Sequence, residues 1–382
     1  MSASSGELDR EADLNNKRVT QKDIAEALDL SLITVQRALN NSGYVSAQLR
    51  RRIAEYVRDV HYVPHKASQV LKRNKTRRLA LFSSSEPGYF WEDVGAGIDM
   101  AAEQIRAFDY RVDYYKLRDN DCEEFLRLLG KTVSEGVDGV GFANKWLKAM
   151  PAAARLLGDA GVPFVTFNVD APGSGRLCHI GTDEKAGGRL AADYLGKVLY
   201  FRERPRILAL GTDFDAAAAE ETVDLGRLRL DGFFEVIKDR LPGAEVVVKS
   251  LPWALLPSEA GPRIEAALGE EEPPPDGIYL VAACNPAFIH ALEILRLERS
   301  YSVLHDLDNS SLHYLGTHPL MAVISQNPIL QGYDAVRILE RILETGKCPE
   351  DRIEIVHSLV FEENREHYTN VGLAAQVMSF PD

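Results

Sequence analysis

The sequence predicts an all-α helix-turn-helix headpiece followed by an α/β core of two doubly wound, parallel-sheet lobes. Three observations carry that expectation. Residues 19–40 form two short amphipathic stretches joined by a turn, positive charge is concentrated in residues 17–78, and apolar strands alternate with helical stretches from residue 79 onward.

Ile24, Ala25 and Leu28 fall on one helical face of the first stretch, and Val35, Ala38 and Leu39 do so on the second. Ala25 is small where two helix axes should approach closely. Ser31 stands at the N-cap of the second helix, where its hydroxyl accepts a free backbone N–H. Thr34, Gln36, Arg37 and Asn40 are left for solvent or DNA. A helix-turn-helix lays its second helix in the major groove, with residues near that helix's N-terminus on the base edges. Leu32, Ile33 and Arg37 are therefore the candidate readers. A third helix follows Val45-Ser46-Ala47, with Ile53, Tyr56, Val57 and Val60 as an apolar stripe behind Arg50, Arg51 and Arg52.

Beyond the basic linker Lys72 to Arg78, strands are expected at Leu79–Phe82, Arg111–Tyr115, Gly139–Phe142, Phe164–Phe167, Ile207–Gly211, Glu245–Lys249, Gly277–Val281, Ser302–Leu304 and Ala322–Ile324. Helices are expected between most of them, including Val94–Ala107, Glu123–Glu135, Gly187–Val198 and Pro286–Leu297. This βαβα order implies parallel sheets covered on both faces, with ligands beyond the carboxyl ends of the strands. The 382 residues accommodate two such sheets.

The net charge of −13 is unevenly placed. Residues 17–78 carry 14 Lys/Arg against 5 Asp/Glu, whereas residues 79–382 carry 29 against 48. A basic end on an acidic body is the footprint of a chain that touches nucleic acid at one end only. Arg50, Arg51, Lys66 and Lys72 are expected to neutralise phosphates and to make binding salt-dependent. Residues 1–16 are polar and acidic, are read as a disordered tail, and lack the apolar stretch of a secretory signal.

Other chemistries find little support. No apolar run of about 18 residues exists, so no transmembrane helix is expected. Cys122, Cys178, Cys284 and Cys348 are scattered without CxxC spacing, which reads as reduced, cytoplasmic and without structural zinc. Gly95-Ala96-Gly97 lacks the third glycine of a dinucleotide fingerprint, and no GxxxxGK[ST], GxSxG or HExxH is present. His305, Asp306, His313 and His318 are close in sequence without sharing a helical face. No catalytic residue, cofactor or metal site is expected, and the chain is read as a non-enzyme.

Residues 18–78 resemble the DNA-binding headpiece of the lactose-repressor (LacI/GalR) family. The likeness rests on Val19-Thr20-x-x-Asp23-Ile24-Ala25, Ser31-x-x-Thr34-Val35-x-Arg37, Asn40, Val45-Ser46, and Tyr62-Val63-Pro64 through Ala67 to Leu71. It implies a transcriptional repressor that binds operator DNA as a homodimer. By the same resemblance, Thr20, Ser31, Leu32, Ile33, Thr34, Arg37, Asn40, Tyr44, Ser68 and Leu71 contact DNA. Residues from about Lys66 to Lys72 would form a hinge helix paired with its twin in the minor groove, with Leu71 as the wedge between base steps. Three departures are visible. Asp29 stands where many members have Gly in the turn, a place Asp tolerates because it visits positive φ more readily than most residues. His65 and Ser68 replace a common Asn and Ala. Leu32 and Ile33 are both apolar, which favours thymine methyls over hydrogen-bonded readout. Residues 364–382 show no leucine heptad, so no tetramerising tail is expected.

The likeness extends more weakly over residues 79–382 to the family's periplasmic-binding-protein-like core, through Val169-Asp170-Ala171-Pro172, Gly181-Thr182-Asp183, Gly187-Gly188, Gly226-Arg227-Leu228-Arg229-Leu230-Asp231-Gly232-Phe233 and Ile324-Ser325-Gln326-Asn327-Pro328. It implies chain crossings between lobes near Thr182, Gln326 and Pro349. The division that follows is a headpiece over 17–65, a hinge and linker over 66–78, lobe one over about 79–181 and 327–350, and lobe two over about 182–326 and 351–382. A small effector, a sugar or sugar derivative, is expected between the lobes, against Tyr89, Phe90, Trp91, Asp170, Arg229, Trp253, Asn285 and Asp306. Each has an ordinary alternative: core packing for the aromatics, an ion pair for Arg229, capping or turn formation for the two acids. Ala283-Cys284-Asn285-Pro286 replaces the Asn-Asp pair of many relatives. A purine or other metabolite is an alternative effector, and a solute-binding protein fused to a helix-turn-helix is an alternative class.

Overall fold

The computed structural model describes residues 19, 21–39, 45–60, 76–118, 121–143, 146–212, 225–251, 257–269, 273–281, 285–297 and 299–368. It divides into two units, Met1–Lys75 and Thr76–Asp382. In the first, α1 (Gln21–Leu28), α2 (Leu32–Leu39) and α3 (Ala47–Asp59) enclose Ile24, Ala25, Leu28, Val35, Ala38 and Ile53. The turn after α1 needs a left-handed residue, and Asp29 supplies it at φ 52°. That conformation turns the Leu30 N–H back onto Ala25 O at 2.9 Å and so closes the helix.

In the second unit the chain first lays down β1 (Arg77–Ser84), α4 (Gly88–Arg106), β2 (Tyr110–Leu117), α5 (Cys122–Ser134), β3 (Gly139–Phe142), α6 (Met150–Ala160), β4 (Phe164–Phe167) and β5 (Cys178–Gly181). It then crosses into α7 (Glu184–Val198), β6 (Arg206–Thr212), α8 (Leu225–Arg240), β7 (Glu245–Leu251), α9 (Pro257–Gly269) and β8 (Gly277–Leu280). Lobe two continues through α10 (Asn285–Ile294), β9 (Tyr301–His305), α11 (Asn309–Leu315) and β10 (Met321–Ser325). The chain returns for α12 (Pro328–Thr345) and β11 (Arg352–Glu354), and crosses once more to β12 (Ser358–Val360).

The sheets run β11-β5-β4-β3-β1-β2 in lobe one and β12-β10-β9-β8-β6-β7 in lobe two. Every strand pair is parallel except β10 with β12. Both faces are covered because alternate residues of each strand bury on opposite sides. Leu79 and Leu81 join Val94, Ile98 and Leu339 on the α4/α12 face, while Ala80 and Phe82 join Phe125, Leu129 and Trp146 on the other. Lobe two repeats the pattern, with Ile207 packed beside Leu195 and Phe233, and Leu208 beside Ile264 and Phe288.

The third crossing differs from expectation. It follows Glu354 instead of lying near Pro349, because Arg352–Glu354 pairs in parallel with His179–Gly181 and completes the lobe-one sheet first. Without that strand, the four-residue β5 would leave its backbone groups unpaired at a sheet edge.

Each lobe also contains a helix pair in backbone contact. A Cβ on Gly97 would stand 1.9 Å from Ile329 O, and one on Gly188 would stand 1.7 Å from Arg229 O. Only glycine lets α4 meet α12, and α7 meet α8, at that separation.

Candidate functional site

The N-terminal unit presents α2. The Ser31 hydroxyl accepts the Thr34 N–H at 3.1 Å and lies 2.8 Å from the Thr34 hydroxyl, so it caps the helix and fixes its first turn. Val35 and Ala38 face the core, which turns Leu32 and Ile33 outward at 41% and 59% exposure, with Arg37 exposed on the same helix. Ser46 caps α3 through Leu49 N, and the α3 residues Arg51 and Arg52 are exposed. Thr20, Asn40, Tyr44, Ser68 and Leu71, with the hinge from Lys66 to Lys72, lie outside the described residues.

In the second unit, the three crossings are joined by one buried polar network. The Thr182 hydroxyl lies 3.1 Å from Gln326 Oε1 and 3.0 Å from Glu184 Oε1, which links the first crossing to the second. Arg352, on β11, donates to Thr182 O at 3.1 Å and links the third. Gln331 Nε2 donates to Gln326 O at 3.0 Å from the first turn of α12.

Two expected effector residues belong to this network. Arg229, 4% exposed, donates from Nε to Glu184 Oε2 at 2.6 Å and from Nη1 to Val281 O at 2.9 Å. Asp306 ends β9 at φ 67° and accepts from Gln326 Nε2 at 2.6 Å. The local sequence explains how Glu184 reaches inward. Asp183 caps α7 by accepting from Lys185 N and Ala186 N, which leaves the next residue's carboxylate free to meet Arg229.

Electrostatics separate the groups. Burial opposes ionisation of Glu184, but Arg229, His357 and the Thr182 hydroxyl override it and hold its carboxyl below the usual range. Burial dominates at Asp306 and raises it, although Arg229 works the other way. His305 is held well below its ordinary value by burial and then by Arg229, so its ring is neutral while Nε2 lies 2.8 Å from Tyr279 Oη.

Other expected residues sit elsewhere. Phe90 and Trp91 are corrected to core: both are buried in the α4/α12 cluster, and the Trp91 indole N–H donates to Glu86 O at 2.8 Å. Both pack in the cluster that holds Leu79 and Leu81 of β1. Tyr89 is half-buried against the same cluster. Asp170 accepts from Arg176 Nη2 at 2.9 Å, Thr166 Oγ1 at 3.1 Å and Ala171 N at 2.7 Å, which makes it part of a lobe-one ion cluster. Trp253 and the Asn285 side chain lie outside the described residues. Glu184, Tyr279 and His357 went unnoticed in the sequence; an acid in a first helical turn reads as a favourable dipole contact and nothing more. Among the described residues no cluster of three metal-ligating side chains occurs, and no helix is long and apolar enough to cross a membrane.

Comparison with known proteins fits this division. Residues 79–348 match the periplasmic binding protein domain, and residues 20–65 match the bacterial regulatory proteins of the lacI family. The chain is 25% identical over 202 residues to the HTH-type transcriptional regulator IdnR of Escherichia coli, covering 53% of this chain and 58% of that one. It is 26% identical over 180 residues to a sucrose operon repressor of Pediococcus pentosaceus, covering 45% and 50%. The chain thus spans about half the length of these curated relatives, which are named as a transcriptional regulator and an operon repressor. A solute-binding protein of Burkholderia graminis in complex with D-arabinose shares the fold at TM-score 0.66 and 21% identity, over 78% of this chain and 99% of that one. A Bacteroides fragilis protein described as a LacI transcriptional regulator does so at TM-score 0.66 and 19% identity, over 77% and 100%. By these matches the chain belongs to the periplasmic binding protein domain family through its two-lobed unit, and its N-terminal helices form a helix-turn-helix domain of the lacI type.

Proposed function

We propose that the protein is a cytoplasmic, homodimeric, sequence-specific transcriptional repressor whose operator affinity is set by a small ligand, a sugar or sugar derivative, held between the lobes. The observation that carries this reading is the union in one chain of an exposed Leu32-Ile33-Arg37 helix and a two-lobed unit whose three crossings are hydrogen-bonded into the Arg229–Asp306 network.

On this reading α2 enters the major groove, Leu32 and Ile33 meet thymine methyls, and Arg37 bonds a base edge. One helix reads one half-site, so a second copy supplies the other. Ligand binding at Arg229 and Asp306 biases the angle between the lobes, and that angle is the two-state element that reaches the operator. The relatives support the ligand class: sucrose and ribose operon repressors among the curated relatives, and a D-arabinose complex among the solved folds.

The test is selection of bound duplexes from a random pool by the full chain, followed by a screen of sugars for release. The expected outcome is a palindromic site bound by a dimer and freed or tightened by one sugar. Failure to enrich any sequence, or tight palindrome binding by a protein that sediments as a monomer, refutes the proposal.

A further inference from the structure

The polar network at the crossings has a charge balance that constrains its ligand. Arg229 is the cation at its centre. Its Nε and Nη1 are taken by Glu184 and Val281 O, whereas Nη2 makes no hydrogen bond among the described residues and presents two N–H donors. Two carboxyl groups act on that one guanidinium, Glu184 and Asp306. The remaining titratable neighbours, His305 and His357, are both held below their ordinary range by burial, and Arg229 pushes in the same direction. Neither supplies positive charge at neutral pH.

The surrounding elements are balanced as well. Arg176 and Arg352 face Asp170 and Asp351 on the lobe-one side, and Lys185 and Arg189 face Asp183 and Glu235 on α7 and α8. No cation in these clusters is in surplus over its carboxylates.

Resting on the reading of this network as the effector site, we infer that it takes an uncharged polyhydroxy ligand and rejects the phosphorylated or carboxylate counterpart. A hydroxyl oxygen accepts from Arg229 Nη2 without disturbing the pair that Arg229 makes with Glu184. A phosphate or carboxylate adds negative charge to a buried group in which carboxyls already match or outnumber the cations. On the same Nη2 donors it would stand beside Glu184 with no further cation to neutralise it, a buried charge without a partner of its own.

The experiment is a thermal-shift and calorimetric titration of the full chain with matched pairs: D-ribose and D-ribose 5-phosphate, D-glucose and D-gluconate, D-galactose and D-galacturonate. One uncharged member should bind, with its anionic mate weaker by roughly a hundredfold, the effect of one charge about 6 Å away in an effective dielectric of about 20. An anion that binds as tightly as its uncharged mate overturns the inference and leaves the effector site standing. Silence from every member of both classes overturns the effector-site reading itself. Glu184→Gln removes the competing carboxylate, so the anion-to-neutral affinity ratio should rise by a similar factor; an unchanged ratio in the folded variant refutes the role given to Glu184. Should that variant not fold, the wild-type pairs still decide.

Discussion

Replacing Gly188 with Ala tests whether backbone contact between α7 and α8 holds the candidate site in place. The added Cβ would stand 1.7 Å from Arg229 O, 2.7 Å from Arg229 C and 2.9 Å from Phe233 N. A carbon and a carbonyl oxygen settle at about 3.3 Å, so the helices must part by roughly 1.5 Å. Overpacking costs about 1–3 kcal/mol, and the upper end applies because the clash is with backbone that has no rotamer to change. Helix propensity returns about 1 kcal/mol on replacing Gly by Ala. The net loss is about 2 kcal/mol, or a fall in Tm of about 4 °C for a unit of this size. Gly130, within α5, is the internal control, since no atom lies within 4 Å of its Cβ position. Gly130→Ala should gain about 0.5–1 kcal/mol and raise Tm by about 1–2 °C. Thermal unfolding followed by circular dichroism and calorimetry reads both. A Gly188→Ala protein as stable as wild type, or equal shifts in the two variants, refutes the argument. Because the clash falls on the Arg229 carbonyl, Gly188→Ala should also weaken sugar binding while Gly130→Ala leaves it unchanged.

Three further outcomes follow from the same structure. Ile33→Asn should change the preferred base at one position of each half-site and cost about 1–3 kcal/mol on the wild-type operator; sequencing the bound fraction of a random pool gives the answer, and an unaltered preference removes Ile33 from the base-reading set. Arg51→Ala, at an exposed position on α3, should lower the salt slope of operator binding by about 1 while the preferred sequence stays the same; identical slopes count against a phosphate contact. Asp334, on α12, is raised to about 6 by burial, with Arg337 opposing. Its folded value exceeds its unfolded one, so its destabilising effect is absent below about pH 4, grows as pH rises to about 6, and is constant above that. Asp334→Asn should therefore be about 1–2 kcal/mol more stable than wild type at pH 7.5 and no more stable near pH 4, measured by Tm against pH.

The long strands and the helix pair were legible because their burial pattern is written in runs. Leu79–Phe82 and Ile207–Gly211 are continuous apolar stretches, as strands covered on both faces must be. The strands β5, β11 and β12 span only 4, 3 and 3 residues, too few for any periodicity, and exist because a neighbouring strand offers them hydrogen bonds. The third crossing was misplaced for that reason. In the crossing network, Arg229 lies in a segment that resembles the family and Asp306 follows an evident strand, whereas the Glu184 partner is 45 residues distant from Arg229 and carries no local signal. Phe90 and Trp91 failed in the opposite sense: aromatic residues at a helix start satisfy a binding wall and a core equally well, and only packing decides.

The geometry limits where the second unit deforms. Gly97 and Gly332 lock α4 against α12, and Gly188 and Gly232 lock α7 against α8, so neither lobe's helix layer slides without backbone overlap. Relative motion of the lobes therefore falls on the three crossings. The second crossing holds a left-handed residue, Asn327 at φ 48° after β10, and Asn168 and Asp306 take φ 58° and 67° at the ends of β4 and β9. These left-handed turns persist because the same residues are tied down. Asp306 accepts from Gln326, and Asn327 caps α12 through Leu330 N while its own N–H meets Ser325 Oγ. A molecule that takes hold of Arg229 and Asp306 consequently acts on Glu184 and Gln326, and both of those hold the Thr182 hydroxyl of the first crossing. Ligand contact and crossing geometry are thus one equilibrium, because the groups that would bind the ligand are the groups that set the backbone between the lobes.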